Sequence, residues 1–230
     1  MSFSLDHPLE KEKQDYVYCL NSSLSLHSTD YAFLLEDDAY PLDDFFPVLL
    51  DTLNHFSSSL DHTHDASPAY VKFFHPERLS TFADVVSIIE LISWVLLSGT
   101  VLHVTYCCFR PLPLSTHSSW LLCLFYALLF ALAINRPGLM ELRRLTPSLY
   151  ALLPAPSCCT PAMLFPKSSA NAIVSFLQSK TCENNLGKDS ILDEFLEFSN
   201  LNAYVVQPNV VMHIGMYSAL RQNIVDPFLM

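Results

Sequence analysis

Residues 31–47, YAFLLEDDAYPLDDFFP, run an apolar strand straight into three consecutive carboxylates, Glu36, Asp37 and Asp38. Phe33, Leu34 and Leu35 make that triplet the end of a strand and not part of a surface helix. A hard cation such as Mg²⁺ or Mn²⁺ takes oxygen ligands and keeps open positions for substrate phosphates. Three carboxylates at a strand end therefore suit a nucleotide-sugar diphosphate and predict a metal-dependent transferase. Side chains alternate along an extended chain, which puts Glu36 and Asp38 on one side and Asp37 on the other, with one or two of them reaching the ion. Pro41 is expected to end the strand. The alternative is an acidic turn in which Asp43 and Asp44 cap a helix over residues 44–56.

The rest of the composition sets the surroundings. The chain has 230 residues, 51% hydrophobic and only 15% charged, against about 25% charged in soluble proteins. Its mean hydropathy is +0.29, the balance of a membrane protein. A net charge of −11 with no basic run excludes nonspecific binding to nucleic acid or anionic lipid. Residues 1–30 are polar, with Glu10-Lys11-Glu12-Lys13 where a signal peptide needs apolar residues. Targeting must come from internal hydrophobic segments or from an anchor that this chain does not include. The seven cysteines show no metal-binding spacing. In an oxidising lumen Cys182 can pair with Cys158 or Cys159. Asn21-Ser22-Ser23 is a glycosylation sequon that counts only if its segment is lumenal.

Along the chain, helices are expected at 10–21, 44–56, 170–179 and 190–199, and strands at 31–35, 69–74, 162–166 and 203–207. Two apolar runs, Val85–Phe109 and Ser115–Ile134, each approach the roughly 20 residues that span a bilayer. Only Arg110–Leu114, RPLPL, separates them. Prolines there cannot continue a helix, so the runs read as an antiparallel transmembrane hairpin with both polar flanks on one side of the membrane. Glu90 is expected near the membrane interface and His103 as a polar contact between the two helices. His62 and His64 have ligand-like spacing but no partner cluster nearby. Glycine is scarce, and no phosphate-cradling glycine loop occurs.

The ordered series YAFLLEDDAYPLDDFF, YVKFFHPERL, an apolar hairpin, TPAMLFP, GKDSILDEF and PNVVMHIGMYSALR resembles the Golgi GPI-anchor N-acetylgalactosaminyltransferases, the post-GPI-attachment-to-proteins factor 4 family. The likeness spans about residues 10 to 225. It implies an α/β chain, a partial type A glycosyltransferase fold interrupted by a two-helix transmembrane hairpin. Residues 1–80 would carry the acidic motif, 83–135 the hairpin and 139–230 the HIG motif. The implied reaction is inverting, Mn²⁺- or Mg²⁺-dependent transfer of N-acetylgalactosamine from UDP-GalNAc to the first mannose of GPI-anchored proteins. It would take place on the lumenal side of the Golgi membrane, without nucleic acid.

Carried over by residue, the acidic motif implies Asp38 as the metal ligand, with Glu36 or Asp37 holding donor or metal-bound water. His213 matches the late motif that returns to the donor phosphates; a histidine hydrogen-bonded within its own strand and turn is the other reading. Asp189 is implied as the general base, with Asp193 and Glu194 competing and helix capping as its structural alternative. Direct displacement needs no covalent nucleophile. Family members carry an anchor helix and uridine-binding strand and helix units before the acidic motif. Only about 30 residues precede it here, so the expectation is a chain without that N-terminal part. The rival reading is a catalytically inactive membrane paralogue acting as a scaffold or interaction protein.

Overall fold

A computed structural model of the chain describes residues 8–26, 29–59, 68–76, 81–82, 85–109, 116–182, 186–215, 217–218 and 223–224. His62, His64, Glu77, Arg78, the Arg110–Leu114 connector and most of the HIG motif beyond Gly215 lie outside them. The chain forms two compact units, one of Met1–Pro76 with Arg143–Met230 and one of Glu77–Leu142.

The first unit is a mixed α/β layer structure. Its elements are α1 (Pro8–Leu26), β1 (Tyr31–Leu35), β2 (Ala39–Pro41), α2 (Phe45–Ser59) and β3 (Val71–Lys72), and then, past the second unit, β4 (Ala151–Pro154), β5 (Ala162–Pro166), α5 (Lys167–Ser179), α6 (Lys188–Ser199), β6 (Tyr204–Gln207), β7 (Val211–His213), β8 (Tyr217–Ser218) and β9 (Asn223–Ile224). Five strands form one sheet in the order β1-β5-β3-β6-β4. Only β3 and β6 run parallel; the other neighbours are antiparallel. Two small ribbons, β2 with β7 and β8 with β9, complete the strands.

Helices cover both faces of the sheet, which explains why β5, AMLFP, is apolar throughout and buried at every position. Its side chains alternate between two cores. Met163 and Phe165 pack with Tyr16 and Leu20 of α1, Ile173 and Leu177 of α5, and Leu192 of α6. Ala162 and Leu164 face Phe45 and Val48 of α2, together with Phe73 and Val206. Helix α5 presents Ala170, Ile173, Val174 and Leu177 to the sheet, the i, i+3, i+4, i+7 spacing of an amphipathic helix. In the expected strand at 69–74 the ladder covers Val71–Lys72, and backbone hydrogen bonds extend it from Ala69, whose N–H donates to the Asn202 carbonyl, to Phe73, whose N–H donates to the Ala162 carbonyl; α1 runs longer than the sequence indicates. The sequon at Asn21 lies inside α1.

The second unit holds α3 (Val85–Phe109) and α4 (Thr116–Met140), which pack on each other. Val85–Phe109 and His117–Leu145 are long and apolar enough to cross a membrane, with hydropathies of 2.1 and 1.9. Little of either is buried within the protein, unlike the core helices of a soluble fold. Before the kink in α4 their buried positions are small: Ser87, Gly99, Ser119, Cys123, Ala127 and Ala131. A Cβ on Gly99 would come within 3.0 Å of the Leu124 Cα, so glycine there permits the close approach. His103 Nδ1 lies 3.4 Å from Ser119 Oγ across the pair. Glu90 Oε2 accepts from Arg136 Nε at 3.2 Å, and both side chains are largely buried within the protein. Helix α4 kinks at Asn135, where φ is 58°, just before Pro137, whose ring and missing N–H break the helical ladder.

Candidate active site

The carboxylate triplet sits in a turn. β1 ends at Leu35, and the Ala39 N–H returns to the Glu36 carbonyl at 3.1 Å. The chain reverses into β2, so the alternation of an extended strand does not govern the three side chains. Glu36 and Asp38 face different partners, and Asp37 is exposed.

Asp38 belongs with the HIG segment. β2 pairs antiparallel with β7 so that Ala39 lies opposite His213, and the Ile214 N–H donates to the Asp38 carbonyl at 2.8 Å. His213 Nε2 then stands 3.2 Å from Asp38 Oδ2. Gly215 closes the turn. Any Cβ there would fall inside the van der Waals shell of Asp38 Oδ2 and 3.1 Å from His213 Cε1. Asp38 Oδ1 and His213 Nδ1 are buried and find no hydrogen-bond partner among the described residues. Buried polar atoms are nearly always paired, so each of these two has capacity for a further partner.

Glu36 turns toward α6. Its Oε1 accepts from Lys188 Nζ at 2.9 Å and from Thr160 Oγ1 at 3.0 Å. Thr160 is delivered by β5, which pairs Leu35 with Ala162, and by the Glu36 N–H donating to the Pro161 carbonyl at 2.8 Å. Lys188 also pairs with Glu12 of α1 and stands 5.1 Å from the centre of the Tyr16 ring. Burial pulls the Lys188 pKa down, but Glu36 and Glu12 outweigh it and hold it above the ordinary lysine value.

Asp189 does not cap its own helix. It lies in the first turn of α6, after Gly187. Its Oδ2 accepts the Cys159 N–H at 3.1 Å, and its Oδ1 lies 3.2 Å from Thr160 Oγ1. Asp193, four residues on, has its pKa raised by burial against the pull of Lys72 and a hydrogen bond from Ser157. Glu194 pairs with Lys180 at a more exposed position. Buried Lys72 fastens the intervening loop by donating to the Pro156 and Cys158 carbonyls at 3.0 and 2.8 Å. Cys158 and Cys159 are joined to each other, and Cys182 is free and buried, so the cysteine pairing expected from the sequence does not form.

The structure thus gathers Glu36 with Asp189 through Thr160, and separately Asp38 with His213. No group of three His, Cys, Asp or Glu side chains that could hold a metal occurs among the described residues. Asp38 and His213 supply two donors, a set that fits a divalent ion completing its shell with water and substrate phosphates. Lys188, Thr160, Glu12 and Gly215 escape a reading of the sequence alone. Only Gly215 leaves a trace there, as one of four glycines in the chain.

A sequence model of the family described as GPI-N-acetylgalactosamine transferase PGAP4 matches residues 3–212. No solved structure matches the chain.

Proposed function

The chain belongs to the GPI-N-acetylgalactosamine transferase family, a family of glycosyltransferases, and from that premise we propose a specific reaction and division of labour. N-acetylgalactosamine moves from UDP-GalNAc to the first mannose of a GPI anchor. An acceptor hydroxyl oxygen attacks the anomeric carbon as the bond to the UDP oxygen breaks, and a single displacement inverts that centre. The hydroxyl proton passes to Asp189. Asp193 is the alternative base, because its raised pKa brings it nearer the value a general base needs.

The observation that carries this reading is the pairing of β2 with β7, which sets His213 against Asp38, whose second carboxylate oxygen is buried with no partner among the described residues. Asp38 would hold Mn²⁺ or Mg²⁺, with His213 turned toward the same ion or the donor phosphates. Bound there, the cation would neutralise charge developing on the departing diphosphate. Asp37, exposed on the turn, is free to meet donor or metal-bound water. Glu36 is committed to Lys188 and Thr160, and supports the turn.

On this reading residues 1–80 and 139–230 are two parts of one type A glycosyltransferase domain, and 83–135 a hairpin that enters and leaves the membrane on one side. Both parts then face the lumen of the Golgi. Calorimetry of the purified chain with UDP-GalNAc tests the donor site. Binding is expected only with Mn²⁺ or Mg²⁺ present and to vanish in Asp38→Ala. Donor binding unchanged by chelator and by that substitution would sink the assignment.

A further inference from the structure

Lys188 is one of three buried lysines among the described residues of the first unit, with a side chain 6% exposed. Burying an ammonium costs several kcal/mol unless it is paired and hydrogen-bonded. Here two carboxylates from distant parts of the chain pair it: Glu12, 176 residues away, and Glu36, 152 residues away. The Tyr16 ring lies beside it. Two of its three N–H groups are directed to Glu12 and Glu36.

Its neighbour Asp189 completes a closed circuit. Lys188 holds Glu36 at 2.9 Å, Glu36 meets Thr160 Oγ1 at 3.0 Å, and Thr160 Oγ1 meets Asp189 Oδ1 at 3.2 Å. The circuit begins and ends on adjacent residues of one helical turn. The Cys159 N–H fixes the second Asp189 oxygen at 3.1 Å. The Thr160 hydroxyl has a single proton, so it donates to Glu36 or to Asp189 at any instant. The orientation of Asp189 is therefore tied to that of Glu36, and Glu36 is anchored by Lys188.

We propose that Lys188, acting with Thr160, is a positioning residue for sugar transfer that locks the acidic turn to α6 and thereby sets the orientation of Asp189. The proposal rests on Asp189 being the base. It assigns α1 a part in the site, because Glu12 also pairs with the Lys188 ammonium.

The test is steady-state kinetics of the full chain with UDP-GalNAc and a GPI glycan acceptor, for Lys188→Met, Thr160→Val, Thr160→Ser and Asp189→Asn. A misplacement of about 1 Å costs on the order of 10²-fold in rate, so Lys188→Met is expected to lower kcat by about 10²-fold while KM for the donor stays within about threefold. Thr160→Val keeps the side-chain shape but loses the hydroxyl, and should lower kcat by about tenfold, the worth of one hydrogen bond. Thr160→Ser restores the hydroxyl and should restore kcat, which a merely space-filling role would not produce. If Lys188→Met fails to fold, the Thr160 pair still decides. Wild-type kcat in Thr160→Val, or a raised donor KM at unchanged kcat, overturns the proposal. Loss of activity in Asp189→Asn alongside those results leaves the base assignment standing; an active Asp189→Asn removes both.

Discussion

Gly215→Ala isolates the Asp38–His213 pair from the rest of the fold. No glycine in the chain has a positive φ, so alanine suits the backbone at 215 and the effect is steric. The new Cβ would overlap Asp38 Oδ2 and stand 3.1 Å from both Asp38 Cγ and His213 Cε1. Restoring ordinary contact requires the carboxylate to retreat by about 1 Å. The Asp38 side chain is 37% exposed, so it can swing outward. That movement loses its 3.2 Å contact with His213, and a partly exposed pair of this kind contributes about 0–1 kcal/mol to stability. A 1 Å displacement of a group that positions substrate costs about 10²-fold in rate, equivalent to about 2.7 kcal/mol. Activity should therefore fall far more than stability. Transfer to a GPI glycan, measured as UDP release over a range of Mn²⁺ concentrations, should drop about 10²-fold at low Mn²⁺. Thermal melting followed by circular dichroism should shift by only a few degrees. Wild-type turnover with an unchanged Mn²⁺ requirement would refute the idea that Asp38 must occupy the space Gly215 leaves.

Three further outcomes follow from other parts of the molecule. Asp189→Asn is expected to abolish transfer while Asp193→Asn retains it, measured in the same UDP-release assay; the reverse pattern moves the base to the carboxyl with the raised pKa. Arg136→Met removes one ion-pair partner of the largely buried Glu90 and should destabilise the helix pair by up to about 3 kcal/mol. In denaturation of the detergent-solubilised protein, the double variant Glu90→Gln/Arg136→Met should lie closer to wild type than the single one. Burial pushes the Glu10 carboxyl up, but the Cys182 N–H, Lys13 and Gln14 pull it down further, to about 2 from an ordinary 4.5. A lowered folded-state pKa contributes stability above pH 4.5 that disappears as pH falls through about 2. The melting difference between wild type and Glu10→Gln should therefore shrink over that window, and a difference undiminished at pH 2 contradicts the assignment.

What the sequence discloses of this fold is what local pattern determines. YAFLL and AMLFP are strands because each is apolar, short and bounded by turn residues. The hairpin helices are visible because hydrophobicity persists for the width of a bilayer. Helix α5 shows in its apolar spacing. The strands that build the site leave no such trace. β2 and β7 have three residues each and exist through their mutual ladder, with Ala39 opposite His213. β4, ALLP, ends in a proline and exists as a strand through its pairing with β6. The acidic triplet reads as a strand end because the sequence cannot show the Ala39 N–H returning to the Glu36 carbonyl.

The same limit explains the site residues. A reading by motif finds Glu36, Asp38, Asp189 and His213 but not how they divide, because the division is set by partners far away in the chain. Glu36 goes to α6 through Lys188 and Thr160; Asp38 goes to β7 through His213 and Gly215. Apart from Glu12, which reaches the site through Lys188, every partner of the acidic turn comes from beyond residue 143, and the segment between them includes both apolar helices. The first unit is therefore assembled from sequence on both sides of the hairpin, and neither side holds a complete site. Within that segment the two apolar helices pack on each other through small residues and share an internal Glu90–Arg136 pair, so its stabilising contacts are supplied by its own sequence.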